Sequence, residues 1–167
     1  LRFDRIKVRK VSESSIKYGL ETARLVETSH RMAQARDVLN NVAFQFARKH
    51  VFQTKIGTVA VDLQELKLLL PDTRHRILSY VVKWVSDNPY GARAKTLENT
   101  LVSAMEGKSR TCCGCVLSKF DEKLHISREF NAVRNSGTSD NIWDGRWTCP
   151  NNFSIKACGE KGLEQIK

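Results

Sequence analysis

With 167 residues, 41% of them hydrophobic, the chain has room for one domain or two small ones and enough apolar matter for a core, which excludes wholesale disorder. Lys and Arg number 28 against 18 Asp and Glu, for a net charge of +10 and a pI near 9.6, and no apolar run approaches the roughly 20 residues of a membrane span. A folded chain this basic points to a polyanion rather than a small molecule as partner, with mere solubility as the competing explanation.

Residues 1–10, LRFDRIKVRK, alternate apolar and basic: Phe3, Ile6 and Val8 stand among Arg5, Lys7 and Arg9. This reads as a strand or an extended linker with one wet, cationic side. The start at Leu1 and this basic decapeptide lead us to expect a fragment, with 1–12 as a linker from a missing N-terminal domain. Serines at 12–15 offer a helix cap. The stretch that follows keeps a helical stripe through Leu25, Met32, Ala35, Leu39, Val42 and Phe46, with Arg24, Arg31, Arg36 and Lys49 opposite, and the stripe is expected to be core. The helix should dissolve over 50–55. GTVAVD, 57–62, is a short strand, and Asp62 opens a brief helix to Leu70 with Glu65 at the capping-box spacing. Pro71 and Asp72 stop that helix and start another, which runs to Asp87 on Ile77, Leu78, Val81, Val82, Trp84 and Val85. Asn88-Pro89-Tyr90-Gly91 breaks it, and a last helix, 92–106, ends on Gly107. Helices this short are marginal alone, so they are expected to pack against the long one as a small bundle over 13–106.

From 107 the pattern changes to short strands, a β-rich domain over 107–167. Cys115, Leu117 and Lys119 point one way and Val116, Ser118 and Phe120 the other; Asp121-Glu122-Lys123 is the break, and Leu124 and Ile126 share a face of the return strand. After the loop NSGTSDN, a second hairpin is expected, with strand 142–148, turn Pro150-Asn151-Asn152 and strand 153–157. In sum, the fold class is α+β: a helical bundle followed by a small β-rich C-terminal domain.

Phosphate-loop, dinucleotide, zinc-protease and nucleophile-elbow motifs are absent, and no catalytic residue is expected. His75, between Arg74 and Arg76, reads as surface. The five cysteines, at 112, 113, 115, 149 and 158, are odd in number and partly adjacent, which argues against a disulfide framework and for a reducing compartment. Their spacing suits zinc poorly, since 149 and 158 lie too far apart for a knuckle; small apolar residues around a turn at Gly114 are the better reading, and no metal site is expected. Lys108, Arg110, Lys119, Lys123, Arg128, Arg134 and Arg146 cluster with Phe120, Trp143, Trp147 and Phe153. Singly, each tryptophan reads as core; together the cluster reads as an RNA-facing surface, because phosphates are held by cations and unpaired bases by rings. In WDGRW, Asp144 can pair with Arg146 across a glycine-centred kink.

Three sets of residues carry a family resemblance: Phe3-x-Arg5-x-Lys7-Val8-Arg9; the Leu-Pro that opens LPDTRHRILSYVVKW (70–84); and Gly114-Cys115, Ser127-Arg128-Glu129 and Trp143-Asp144-Gly145-Arg146 in that order. Together they resemble the region of the tRNA(Ile)-lysidine synthetases C-terminal to the ATP-binding domain, most of all the alphaproteobacterial and organellar kinds. The resemblance implies a parent ligase that uses ATP and magnesium to attach lysine to the wobble cytidine of a CAU-anticodon isoleucine tRNA. The family's SGGxDS phosphate loop is missing here, so no cofactor is expected in this chain. Its share would be to grip tRNA beside a missing N-terminal catalytic domain, away from any membrane, in the bacterial cytoplasm or alternatively the mitochondrial matrix. The RNA-binding residues expected are Arg5, Lys7, Arg9, Arg74, Lys108, Arg110, Lys119, Arg128 and Arg134. The rival expectations are a stand-alone basic RNA-binding or ribosome-associated module, and a structural domain that pairs through its hairpin edges.

Overall fold

The computed structural model describes residues 19, 21–54, 57–134, 138–139 and 141–150. The expectations for 1–12, for a serine cap at 12–15 and for strand 153–157 lie outside these residues. The described chain opens with a helix of 29 residues, α1 (Thr22–His50). Arg48, Lys49 and His50 occupy its last turn, where the exposed carbonyls favour cations. At Val51 the backbone becomes extended, and the chain passes without a loop into β1 (Val51–Gln53) and back as β2 (Val59–Asp62). Asp62 then caps α2 (Leu63–Leu68): its Oδ1 accepts the backbone N–H of Gln64 at 3.1 Å and of Glu65 at 3.3 Å, the cap the sequence spacing anticipates. Proline in the first turn starts α3 (Pro71–Ser86), where its missing N–H costs nothing, and Asp87 ends it in the left-handed region. After α4 (Ala94–Met105), Gly107 takes a φ of 81°, as expected of the residue past a helix end.

Three more strands complete the sheet: β3 (Arg110–Cys112), β4 (Cys115–Phe120) and β5 (Lys123–Arg128). The order is β1-β2-β5-β4-β3, every pair antiparallel. Asp121 and Glu122 both take positive φ, 48° and 54°, so the β4–β5 turn is two residues and Lys123 already belongs to β5. The pleat sends Val59, Val61, Leu117, Leu124 and Ile126 to one face, as the alternation predicts for the last three. All five are buried in one cluster with Leu63, Leu66, Leu78, Val82, Leu97 and Leu101 of the covering helices. Strands on both sides of position 106/107 therefore share one sheet and one core.

Helices dominate the first part of the chain and antiparallel strands the last, so the α+β class is as expected, but two packing expectations are corrected. The short helices lay their apolar stripes largely on the sheet, and of them α3 also meets α1. The stripe of α1 is not core: Leu25, Leu39 and Val42 are exposed, Met32 is 68% exposed, and within α1 only Ala43 is buried. Periodicity says which residues share a face; a face becomes core only where something lies opposite. Here that happens near Asn40, Ala43 and Phe46, where Arg76 of α3 donates to Asn40 Oδ1 at 3.0 Å.

Beyond β5 come a single turn, α5 (Phe130–Val133), and a small sheet of β6 (Thr138–Ser139), β7 (Ile142–Trp143) and β8 (Trp147–Thr148). The strand expected over 142–148 is in fact a hairpin. Asp144 and Gly145 take φ of 51° and 65°, and the Arg146 N–H closes on the Trp143 carbonyl at 3.2 Å. An Asp-Gly pair accepts left-handed backbone cheaply, so the chain reverses there, ahead of Pro150.

Candidate nucleic-acid interface

Arg128, at the end of β5 opposite Cys115, turns its guanidinium onto Asp144: Nε lies 3.1 Å from Oδ2 and Nη2 3.0 Å from Oδ1. Arg146 adds Nη2 at 2.8 Å from Oδ2, the pairing expected across the kink. The Asp144 side chain is 2% exposed, and both arginines are mostly buried. Burial by itself would raise the Asp144 carboxyl, but the hydrogen bonds and charges of Arg128 and Arg146 outweigh it and hold the group below the usual carboxylate range. This node ties the 142–148 hairpin to the large sheet. It is braced by Trp147, which packs on Gly57 between β1 and β2, where a side chain would collide with the ring. The Arg146 guanidinium lies 5.8 Å from the Trp147 ring centroid.

Of the four described cysteines, three are packing residues and Cys113 is exposed. Cys112 and Cys115 are buried, and Cys115 Sγ donates to the Val82 carbonyl at 3.7 Å. Burial pushes the Cys112 thiol up to about 11, with the neighbouring Cys113 adding to it, and the Cys115 thiol up to about 12. Thiols so protonated are poor nucleophiles. Among the described residues no group of three or more His, Cys, Asp or Glu could hold a metal.

The cations expected to meet RNA fall into three sets. Arg5, Lys7 and Arg9 lie outside the described residues. Arg74, Lys108, Lys119 and Arg128 have carboxylate partners: Glu98 at 3.0 Å, Glu106 at 3.1 Å, Glu122 at 2.7 Å and Asp144. Exposed Lys108 and its partner gain little from pairing and can exchange it for a phosphate, whereas Arg128 is committed to the node. Arg110 on β3 and Arg134 just past α5 are exposed, with no ion-pair partner among the described residues. Of their neighbours, α5 packs beside the β3–β4 turn, where a side chain at Gly114 would touch Ala132.

The sheet face away from the helices was only half foreseen. Phe120, His125 and Ser127 lie on it as the alternation predicts, but Phe52 of β1 joins them, and its three-residue strand gave no alternating signal. The Phe120 and His125 rings meet edge-on at 5.9 Å, and Lys123 Nζ lies 5.7 Å from the Phe52 centroid. No helix among the described residues is long and apolar enough to cross a membrane.

The described residues build an α+β fold with exposed arginines and lysines on its surface. The comparisons narrow this. The chain is similar to a tRNA(Ile)-lysidine synthase of Ruegeria pomeroyi, 27% identical over 171 residues that take in 98% of this chain and 40% of that protein. No family model and no solved structure matches. The resemblance carried by the motifs is thus borne out as a similarity: nearly the whole chain aligns with a C-terminal region of one tRNA(Ile)-lysidine synthase. It spans 40% of the length of the curated relative.

Proposed function

We propose that this chain is the tRNA-gripping portion of a tRNA(Ile)-lysidine synthetase. In the parent reaction ATP adenylates the wobble cytidine of a CAU-anticodon isoleucine tRNA, releasing pyrophosphate; the lysine amine then displaces AMP. The sequence lacks the family's phosphate loop, so ATP and its magnesium are assigned to a catalytic domain N-terminal to the region described, and this chain's work is to hold the RNA. Similarity along 98% of a chain of net charge +10 is the observation that carries the reading. Phosphate contacts supply most of the affinity of such proteins and release counterions, so binding should weaken linearly in log salt with a slope of roughly −0.7 to −0.9 per contact.

Arg110, Arg134 and Lys108 are the described cations best placed to contribute; Arg5, Lys7 and Arg9 are assigned to the RNA by the family resemblance alone. Arg128 organises the node with Asp144, and Arg74, held by Glu98, positions α3 against α4. The test is filter binding of tRNA across a salt series. Tight, salt-sensitive retention that weakens in Arg110→Glu with Arg134→Glu is expected. Absence of binding at low salt would overturn the reading.

A further inference from the structure

The outer face of the large sheet has a composition that solubility does not explain. Phe52 is 49% exposed and Phe120 71%, and the register places them on the same side as Lys123, His125, Ser118 and Ser127. The ring–ring and cation–ring contacts confirm that these side chains share one surface. Phe52 and His125 stand two strands apart, roughly 10 Å, with Ala60 between them. Ala60 between them is small and 3% exposed, so the two rings rise on either side of a covered spot and do not stack on each other.

This arrangement discriminates between occupants. A protein interface concentrates its apolar side chains in a desolvated centre. Here hydroxyls, an imidazole and an ammonium alternate with the rings, and the apolar side chains between them are only the small Ala60 and Val116, so no large dry centre can form. A flexible polyanion that bears flat π faces fits each part: bases stack on the rings, phosphates meet Lys123, and the hydroxyls reach base edges. More cations lie close in the chain, since Arg48 and Lys49 stand in the last turn of α1, which runs into β1. Of the carboxylates at the same end, Asp62 is engaged by α2 N–H groups and Glu122 by Lys119 and Gln64, leaving Asp121 exposed in the turn.

We infer that the outer sheet face, through Phe52, Phe120, His125 and Lys123, is a stacking platform for unpaired nucleotides of the bound RNA. The inference rests on the tRNA-binding reading and deepens it: the grip includes a single-stranded segment and not duplex alone. Because the rings are exposed, Phe52→Leu and Phe120→Leu leave the core intact, and urea unfolding checks that they do.

The probes are tRNA, an unstructured 12-nucleotide RNA and a 12-base-pair RNA duplex, each titrated against the wild type and the double variant. The double variant should lose at least about fivefold in affinity for the single strand and for tRNA, with duplex binding unchanged. Phe52→Trp should retain binding, and its fluorescence should be quenched by the single strand. Wild-type binding to tRNA with no loss in the double variant would overturn the platform and leave the tRNA reading standing. No RNA binding by the wild type would overturn both. A dimer of the wild type, dissociated in the double variant, would assign the face to a second copy and likewise overturn the platform.

Discussion

The long helix and the five-stranded sheet are both amphipathic, yet only one of them carries the fold. The sheet's apolar face is sealed by α2, α3 and α4, with Leu117, Leu124 and Ile126 at 0% exposure, while most of the α1 stripe meets water. An isolated helix gains little from propensity, so α1 is anchored where Ala43 and Phe46 touch α3 and where it runs into β1. Amphipathicity alone, then, does not distinguish a core element from an arm; the strands decide it, because each needs a neighbour for its backbone groups and so recruits a sheet.

Breaking the sheet side should show the largest effects. Asp144→Ala leaves Arg128 and Arg146 buried without their shared carboxylate and should cost about 3–5 kcal/mol in urea unfolding. Leu117→Ala should cost about 2–5 kcal/mol by opening a cavity under the sheet. Gly57→Ala should cost about 1–3 kcal/mol, because the added methyl meets Trp147 and the backbone there has a φ of +77°.

The node also makes a pH prediction. The Asp144 carboxyl sits lower in the folded than in the unfolded chain, so its contribution is present above the unfolded value of about 3.9 and is lost as pH falls through the folded one. The stability gap between wild type and Asp144→Asn should therefore narrow on acidification below about pH 4. On the other side of the comparison, Leu25→Ser and Met32→Ser should each change stability by no more than about 0.5 kcal/mol. A cost near that of Leu117→Ala would show that the arm is packed after all.

Much of the fold could be read in the sequence, wherever the signal was local. The Asp62 cap, the start of α3 at Pro71, the end of α4 before Gly107 and the β4–β5 alternation depend on neighbours within a few residues. What escaped is non-local. Val51–Gln53 is too short to alternate and becomes a strand only by pairing with Val59–Val61, in a sheet that β5 completes from far along the chain. The α1 stripe had the right period and no partner. In the last hairpin the Asp144-Gly145 turn was passed over, and its left-handed backbone carries the carboxylate to Arg128; the turn expected at 150–152 runs outside the described residues. The same distance hid the site's organisation: Asp144 with Arg146 lay in plain view two residues apart, whereas Arg128 reaches Asp144 across 16 residues of sequence.

One claim underlies both the stability predictions and the functional reading: the chain folds on its sheet and leaves most of α1 and the outer strand face exposed. Native-state hydrogen exchange, resolved by residue on the free protein, tests it most directly. Amides of β2, β4, β5 and α3 should exchange only through global unfolding, while those of residues 25–38 exchange by local opening at far lower free energy. Protection of residues 25–38 equal to that of the sheet would contradict the account, since it would mean that the arm belongs to the core.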